Sequence, residues 1–257
     1  MTQTQRRIFL TEYLIREDGS LKNTDIPAQE EAQKRLLRSL MNIRPPRPVP
    51  EEFLTVQDAY LQQELAEKGT VSLADLSPIQ PGICLWQGDI TRLAVDAVVN
   101  AANSAMLGCF IPCHGCIDNA IHSAAGVQLR LECARLMEGQ QEPEPTGGAR
   151  ITKAWNLPCR HVLHTVGPIV RGPLTGRDCS LLEDCYRSCL ALASEHRLKS
   201  VAFCCISTGE FHFPAEEAAR IAVRTVRSFL EEDGKGMEVI FNVFKDRDRE
   251  IYRELLE

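Results

Sequence analysis

Residues 98–126 decide the fold class, and they read VVNAANSAMLGCFIPCHGCIDNAIHSAAG. The β-branched pair Val98–Val99 leads directly into two amides, Asn100 and Asn103. A turn-rich stretch with three cysteines and one histidine follows, and the chain then enters a predicted helix with Asp118 near its start. A strand that ends in polar side chains just before a helix is typical of an α/β site at the carboxyl edge of a sheet. The stretch therefore predicts a polar ligand and a metal at one place.

The composition is that of an ordinary globular protein. Of the 257 residues, 44% are apolar and 25% are charged, which suffices for one large domain or a domain with an appendage. The net charge of −6 argues against a nucleic-acid partner, and no run reaches the ~18 apolar residues of a membrane span. The first residues do not resemble a signal peptide. We therefore expect a cytoplasmic protein whose eleven cysteines are reduced and favour metal binding over disulfides.

Two regions of different pattern divide the chain. Residues 1–80 are predicted to form a helical extension, with helices over 28–41 and 51–67 separated by the proline-rich segment 42–50. Residues 81–257 alternate strands with helices, which predicts a parallel or mixed sheet covered on both faces. The predicted strands are Ile83–Trp86, Ala97–Asn100, His161–Val166, Val201–Ile206 and Glu238–Phe244. The predicted helices cover 117–136, 180–196, 215–231 and 246–256.

Five short motifs follow one another along the second region. They are Gly88-Asp89-Ile90-Thr91, Val99-Asn100-Ala101-Ala102-Asn103-Ser104, Thr146-Gly147-Gly148-Ala149-Arg150, His164-Thr165-Val166-Gly167-Pro168 and Ile206-Ser207-Thr208-Gly209-Glu210-Phe211. Each motif is weak alone, but five in order with fitting spacing resemble the macrodomain family. The resemblance implies a three-layer α/β/α fold with a mixed central sheet. It also implies a protein that binds ADP-ribose and, in many members, removes it from modified proteins.

The resemblance implies that several motif residues bind ADP-ribose. Asp89, with Ile90 beside it, would accept a hydrogen bond from the adenine amino group, although Asp-Ile-Thr is also ordinary helix-capping chemistry. The last motif would cradle the diphosphate through main-chain N–H groups, or it is simply a strand-to-helix turn that contains glycine. Phe244 would lie against the adenine face or pack in the core. The cradle residues are Ser207, Thr208, Gly209, Glu210 and Phe211.

The resemblance also implies a pair of catalytic residues. Asn103 aligns with the amide that contacts the distal ribose, and Asp118 aligns with the catalytic aspartate of hydrolytic macrodomains. Since Asp118 lies near a predicted helix start, compensation of the helix dipole is the alternative role.

Cysteine and histidine cluster where the family ordinarily has a glycine-rich stretch. Thiolate and imidazole suit zinc; three protein ligands with an open position suit catalysis, whereas a fourth ligand such as Cys113 would suit a structural site. The cluster is similar to the zinc-containing subfamily of microbial protein-ADP-ribose hydrolases, whose Cys-x4-His-x-Cys pattern implies Cys109, His114 and Cys116 as ligands. Packing of small cysteines near a turn is the alternative.

These features predict a zinc-dependent hydrolase that removes mono-ADP-ribose from protein side chains, with Asp or Glu linkages as the expected substrates. The alternatives are a reader module that binds ADP-ribose without cutting it, and a deacetylase of O-acetyl-ADP-ribose. The resemblance implies ADP-ribosylated proteins as partners, among them a lipoyl carrier protein modified by a sirtuin-type transferase.

Overall fold

The chain begins with helices and continues into a sheet, as seen in a computed structural model that describes residues 1–232 and 236–257. The helices are α1 (Gln3–Glu17), α2 (Glu30–Ile43), α3 (Glu51–Lys68), α4 (Ile117–Ala125), α5 (Val127–Met137), α6 (Gly176–Glu195), α7 (Ala215–Glu232) and α8 (Asp246–Leu256). The strands are β1 (Val71–Ser72), β2 (Pro78–Gln80), β3 (Ile83–Gln87), β4 (Leu93–Ala94), β5 (Ala97–Ala102), β6 (Ala149–Lys153), β7 (His161–Val166), β8 (Ser200–Phe203) and β9 (Glu238–Val243). None of these described helices is long and apolar enough to cross a membrane.

Seven strands form the main sheet in the order β2-β3-β9-β8-β5-β7-β6. The inner pairs from β3 to β7 are parallel, whereas the edge strands β2 and β6 are antiparallel to their neighbours. Residues such as Val98, Val99 and Val201 are fully buried, as expected of parallel strands that are covered on both faces. The sheet is therefore mixed, as predicted.

Helices cover both faces of this sheet. Successive side chains of a strand point to opposite faces, so His164 and Thr165 of β7 mark the two sides. The His164 ring lies 3.8 Å from Cys133 Sγ of α5. On the other side, the Cys185 thiol of α6 donates to the carbonyl of Val166, and α6 packs on α7, which packs on α8. The predicted three-layer α/β/α fold is confirmed.

The helical region before the sheet has a core of its own. Leu10, Leu37 and Phe53, one from each of α1 to α3, are buried together, and Val127 of α5 joins them. The predicted helices 28–41 and 51–67 correspond to α2 and α3, whereas α1 is not among the predicted elements. Strand β2 pairs with β3, so the main sheet includes residues that precede position 81.

The prediction of a single helix over 117–136 is wrong, because the helix is interrupted at Gly126, between α4 and α5. Gly126 has a φ of 92°, which favours glycine, and a Cβ there would lie 2.6 Å from Gln57 Nε2. Gln57 of α3 also accepts a hydrogen bond from the Val127 N–H. The interruption of the helix therefore lies at a contact with the helical extension, and the apolar pattern of residues 117–136 alone does not reveal that contact.

Two sheet boundaries also differ from the prediction. The strand predicted over Val201–Ile206 ends at Phe203, because the chain turns there toward the loop before α7. Strand β6 is not among the predicted strands. It is a half-exposed edge strand that carries Arg150 and Lys153, and such polar edges lack the continuous apolar signal of central strands.

Candidate active site

Asn100 lies in the second half of β5 and is fully buried. Its Nδ2 donates to Asp118 Oδ1 over 2.8 Å and lies 3.2 Å from His164 Nδ1 on the neighbouring strand. Asn100 and His164 are partners in the β5–β7 register, which explains why their side chains meet on one face. The motifs contained both residues, but sequence reasoning assigned neither of them a role.

Asp118 lies in the first turn of α4, directly behind the Cys116 cap of that helix. Its Oδ2 lies 3.3 Å from Asn103 Nδ2, and its Oδ1 lies 3.5 Å from His122 Nε2. The residue is only 5% exposed, and this burial raises the pKa of Asp118 to about 6. The Asp118 carboxylate therefore contacts both Asn100 and Asn103.

Asn103 joins this carboxylate to the cysteine-bearing segment. Its Oδ1 accepts the Ala105 N–H over 3.0 Å, and its Nδ2 donates to the Gly108 carbonyl over 3.1 Å. Gly108 has a φ of 77°, and a Cβ at this position would lie 2.8 Å from the His122 ring. Only glycine fits there, so the buried His122 ring supports the start of the next segment.

We call residues 108–116 the cysteine loop. The ligating atoms of Cys109, His114 and Cys116 all lie within 4.8 Å of one another, and all three residues are half-buried. Cys109 Sγ is 3.6 Å from His114 Nδ1. Burial raises the pKa of Cys116 to about 12, so this thiol stays protonated unless a cation is near. Two thiols and one imidazole at this spacing fit the donor set and the dimensions of a zinc site.

Cys113 is separate from that trio. Its Sγ lies 3.2 Å from Ser39 Oγ and 3.4 Å from the Arg35 carbonyl, both on α2. Its N–H donates to Asn42 Oδ1 over 2.9 Å. The cysteine loop thus brings three candidate ligands together, whereas the Cys113 side chain contacts helix α2 of the extension.

A second sulfur–imidazole group lies in the core, and sequence reasoning missed it. His122, Cys133 and His164 also have ligating atoms within 4.8 Å of one another, and all three are buried. They come from α4, α5 and β7, so nothing in their spacing along the chain indicates that they meet. Only the folded sheet brings them together.

The predicted diphosphate cradle follows β8 at the same edge of the sheet. Ser207 has a φ of 63°, and its buried hydroxyl has no partner among the described residues. Within the described part of the chain, the N–H groups of Gly209, Glu210 and Phe211 donate no hydrogen bond, and α7 begins shortly afterwards. Free N–H groups just before a helix are suited to an anion. Glu210 Oε1 lies 3.7 Å from His114 Nε2, so this loop adjoins the cysteine loop.

Asp89 and Phe244 lie at the ends of β3 and β9, which are neighbours in the sheet. Asp89 Oδ1 accepts from both the N–H and the hydroxyl of Thr91, so the residue does cap the short helical turn that follows. Its second oxygen makes no hydrogen bond among the described residues. Ile90 is only 2% exposed as a whole residue, and its carbonyl accepts the Leu93 N–H. Phe244 is 76% exposed and is therefore not a core residue.

The strand order arranges these parts in a line. Asp89 follows β3, Phe244 follows β9, the cradle follows β8, and Asn103 follows β5, which are four consecutive strands of the sheet. Three strand spacings correspond to about 14 Å. The edge therefore matches an elongated ligand with an aromatic end, an anionic middle and a polar end beside the cysteine loop.

Comparisons with known proteins agree with this arrangement. The Macro domain family model matches residues 99–222. A protein-ADP-ribose hydrolase of Treponema medium is 55% identical over 260 residues, which cover 100% of both chains. The chain belongs to the Macro domain family. A protein-ADP-ribose hydrolase of Staphylococcus aureus (strain MSSA476) is 49% identical over 249 residues, covering 95% of this Macro domain chain and 93% of its own.

Solved Macro domain structures show the same fold. The Trypanosoma brucei macrodomain in complex with ADP-ribose superposes with a TM-score of 0.67 at 32% identity, covering 85% of this chain and 95% of that chain. The Oceanobacillus iheyensis macrodomain with ADP gives a TM-score of 0.63 at 39% identity, covering 68% of this chain and 89% of that chain. The family resemblance of the five motifs is thereby confirmed.

Proposed function

We propose that this protein is a zinc-dependent hydrolase that removes mono-ADP-ribose from modified protein side chains. One observation carries the proposal: a carboxylate, an amide and the cysteine loop touch one another at one end of the elongated sheet edge. The relatives named protein-ADP-ribose hydrolase align with nearly the whole chain, which supports the same activity here.

ADP-ribose is proposed to lie along the line of strand ends. Adenine occupies the end marked by Asp89 and Phe244, where an unused carboxylate oxygen and an exposed ring are available. The diphosphate meets the free N–H groups of residues 209–211, whose partial positive charge before α7 suits an anion. The distal ribose then reaches Asn103. The Trypanosoma brucei macrodomain that binds ADP-ribose supports the choice of this ligand.

Zinc is proposed to bind Cys109, His114 and Cys116. His114 Nδ1 faces the Cys109 sulfur, so Nδ1 is the proposed ligating nitrogen, while Nε2 lies toward the carboxylate of Glu210. A carboxylate beside the second ring nitrogen is the usual partner that orients a ligating histidine. When bound, zinc supplies Lewis acidity, which polarises a ribose oxygen or lowers the pKa of a water molecule.

Asn103 and Asp118 are proposed to act on the distal ribose and on the attacking water. The Asn103 amide is fixed by the Gly108 carbonyl, the Ala105 N–H and Asp118, so it is already oriented for the ribose hydroxyls. Asp118 orients or deprotonates the water, and a carboxyl pKa of about 6 is close to the working range of a general base. Its contact with Asn103 also keeps that amide in place.

The proposed linkage is the ester between ribose and a protein Asp or Glu side chain. The proposed location of the protein is the cytoplasm. A carboxylate leaving group departs without being protonated first, so water activation is the main requirement of this reaction. A lipoyl carrier protein modified by a sirtuin-type transferase is the acceptor to test first.

Release of free ADP-ribose from a glutamate-linked ADP-ribosylated protein tests the proposal. The full chain should release ADP-ribose, and a zinc chelator should stop the release. Cys116→Ser should be inactive, whereas the neighbouring Cys113→Ser should remain active and serves as the matched control.

Two other outcomes would identify the alternatives. A protein that binds ADP-ribose but releases none from any ADP-ribosylated substrate is a reader. A protein that cleaves only O-acetyl-ADP-ribose is a deacetylase. Full release in the presence of chelator, from protein without measurable zinc, would contradict zinc dependence.

A further inference from the structure

We propose that helix α2 of the N-terminal extension is a positioning element for the cysteine loop, and that Arg38 and Asn119 set how tightly this loop holds zinc. The inference rests on the proposed function only in taking the Cys109–His114–Cys116 trio as the zinc site.

Arg38 connects α2 to the loop. Its Nε and Nη2 donate to Asn119 Oδ1 over 3.2 and 2.7 Å, and Nη2 also donates to the His114 carbonyl over 3.3 Å. One guanidinium thus holds the main chain of a candidate ligand and a side chain of α4 at once. A planar fork with several donors is suited to such a double contact.

Asn119 transmits this contact to the rest of the loop. Its main-chain N–H donates to Cys116 Sγ over 3.4 Å, and its Nδ2 donates to the Ile111 carbonyl over 3.0 Å. The residue is fully buried, and its side-chain oxygen is the acceptor for Arg38. Asn119 therefore contacts a candidate ligand sulfur, the middle of the loop and α2.

A second set of contacts ties the loop to the carboxyl end of α2. Arg130 of α5 donates to the Cys109 and Leu107 carbonyls, and the same guanidinium donates to the carbonyls of Met41 and Asn42. The Cys113 N–H is bound by the Asn42 side chain. The main-chain carbonyls of two of the three candidate ligands are therefore bound by arginines, Cys109 by Arg130 and His114 by Arg38.

Such support matters because the ligands lie on a loop. An unsupported loop must lose conformational freedom when a metal binds, and preorganisation removes that cost. Outer partners of metal ligands typically change affinity about 10- to 100-fold when they are removed. Loss of the Arg38 contacts should therefore weaken zinc binding by a factor in that range.

The test compares zinc affinity and zinc transfer to a chromogenic chelator in the full-length wild type, Arg38→Ala and Arg35→Ala. Arg35 is the matched control, since it lies on the same helix, carries the same charge, and its exposed side chain makes no hydrogen bond among the described residues. Arg38→Ala should bind zinc about 10- to 100-fold more weakly and release it faster. Arg35→Ala should behave like the wild type.

Unchanged zinc affinity in folded Arg38→Ala would overturn the proposal, as would an equal loss in Arg35→Ala. If Arg38→Ala does not fold, Arg38→Gln, which keeps most of the side-chain volume, takes its place with the same expectations. Thermal unfolding of the zinc-free proteins separates a positioning role of Arg38 from a purely structural one. If the role is purely structural, Arg38→Ala lowers the melting temperature of the zinc-free protein without changing zinc affinity. A wild type that binds no zinc overturns this proposal, whereas one that binds zinc without releasing ADP-ribose overturns only the hydrolase function.

Discussion

Two groups of cysteine and histidine lie close to Asp118, and they differ in surroundings rather than in chemistry. The loop group is Cys109, His114 and Cys116, and the buried group is His122, Cys133 and His164. In both, the ligating atoms lie within 4.8 Å of one another. Ligand type and spacing alone therefore do not separate a metal site from a packed core.

In the buried group, His164 already has hydrogen-bond partners outside the group. His164 contacts Asn100 through Nδ1 and Thr152 Oγ1 through Nε2, the latter over 2.9 Å. Burial lowers the pKa of His164 to about 3 and raises the pKa of Cys133 to about 12, so both stay neutral. The His122 ring, whose nitrogens lack partners among the described residues, borders a cavity of about 10 Å³, room for about one water. This group packs and hydrogen-bonds beneath Asp118.

The loop group has the opposite properties. Its three residues are half-buried, so a cation and a substrate can reach them. Its loop is also held from outside by α2 and Arg130. Access therefore favours the loop group as the proposed metal centre, and the following predictions test that difference.

The largest effect is expected from loss of a loop ligand. Cys116→Ser should lose bound zinc, and turnover should fall by about 100-fold or more, because several kcal/mol of transition-state stabilisation are removed. Metal analysis of the purified protein and the ADP-ribose release assay measure both effects. Retention of zinc and turnover in Cys116→Ser would assign the metal elsewhere.

Asp118→Asn should lower turnover by about 10²- to 10⁴-fold, the usual contribution of general acid–base catalysis. Affinity for ADP-ribose should change much less, because Asp118 is proposed to act on the attacking water, whereas the contacts with ADP-ribose are proposed for other residues. Calorimetric titration with ADP-ribose beside the release assay separates the two quantities. Equal losses in turnover and affinity would show that Asp118 serves binding only.

Acid should destabilise the protein through the buried group. The folded pKa of His164 is about 3, whereas an unfolded histidine titrates near 6.5, so the unfolded state takes up the proton first. This contribution is fully present above about pH 6.5 and is lost toward pH 3, at about 1.4 kcal/mol per pH unit. Asp118 has a raised pKa in the fold, so its contribution to the free energy of unfolding changes with pH in the opposite direction.

The comparison is therefore made between the wild type and His164→Gln. Urea unfolding of both zinc-free proteins at several values between pH 6 and pH 4 isolates the histidine. The stability advantage of the wild type should shrink steadily as the pH falls. A pH-independent difference would mean that the pKa of His164 is not lowered in the fold.

The smallest effect is expected from Cys133→Ala. Removal of a buried sulfur should lower the free energy of unfolding by about 1–2 kcal/mol, while bound zinc stays the same. Urea unfolding and metal analysis of one preparation measure both. If Cys133→Ala loses its zinc while Cys109→Ser keeps it, the buried group and not the loop group is the metal site.

The same contrast explains what the sequence could predict. The loop ligands lie within eight positions, from Cys109 to Cys116, so their pattern is visible locally. Strand β7 was predicted with the observed bounds, His161–Val166. The five motifs also placed Asp89, Asn103 and the cradle at one edge of the sheet.

Features that depend on distant contacts could not be predicted. The break at Gly126 depends on Gln57, the support of the cysteine loop depends on Arg38, and the buried group joins α4, α5 and β7. Helix α1 was missed because its buried face includes the polar residues Arg7 and Thr11, which weaken the apolar pattern. Each of these features requires the tertiary structure.

Zinc titration of the metal-free protein, with ADP-ribose release followed at each step, tests most directly whether the cysteine loop holds the reactive metal. Turnover should rise in proportion to bound zinc and saturate at one zinc per chain, in the wild type and in Cys133→Ala alike. Full turnover without measurable zinc, or saturation in the wild type that Cys133→Ala abolishes, would contradict this assignment.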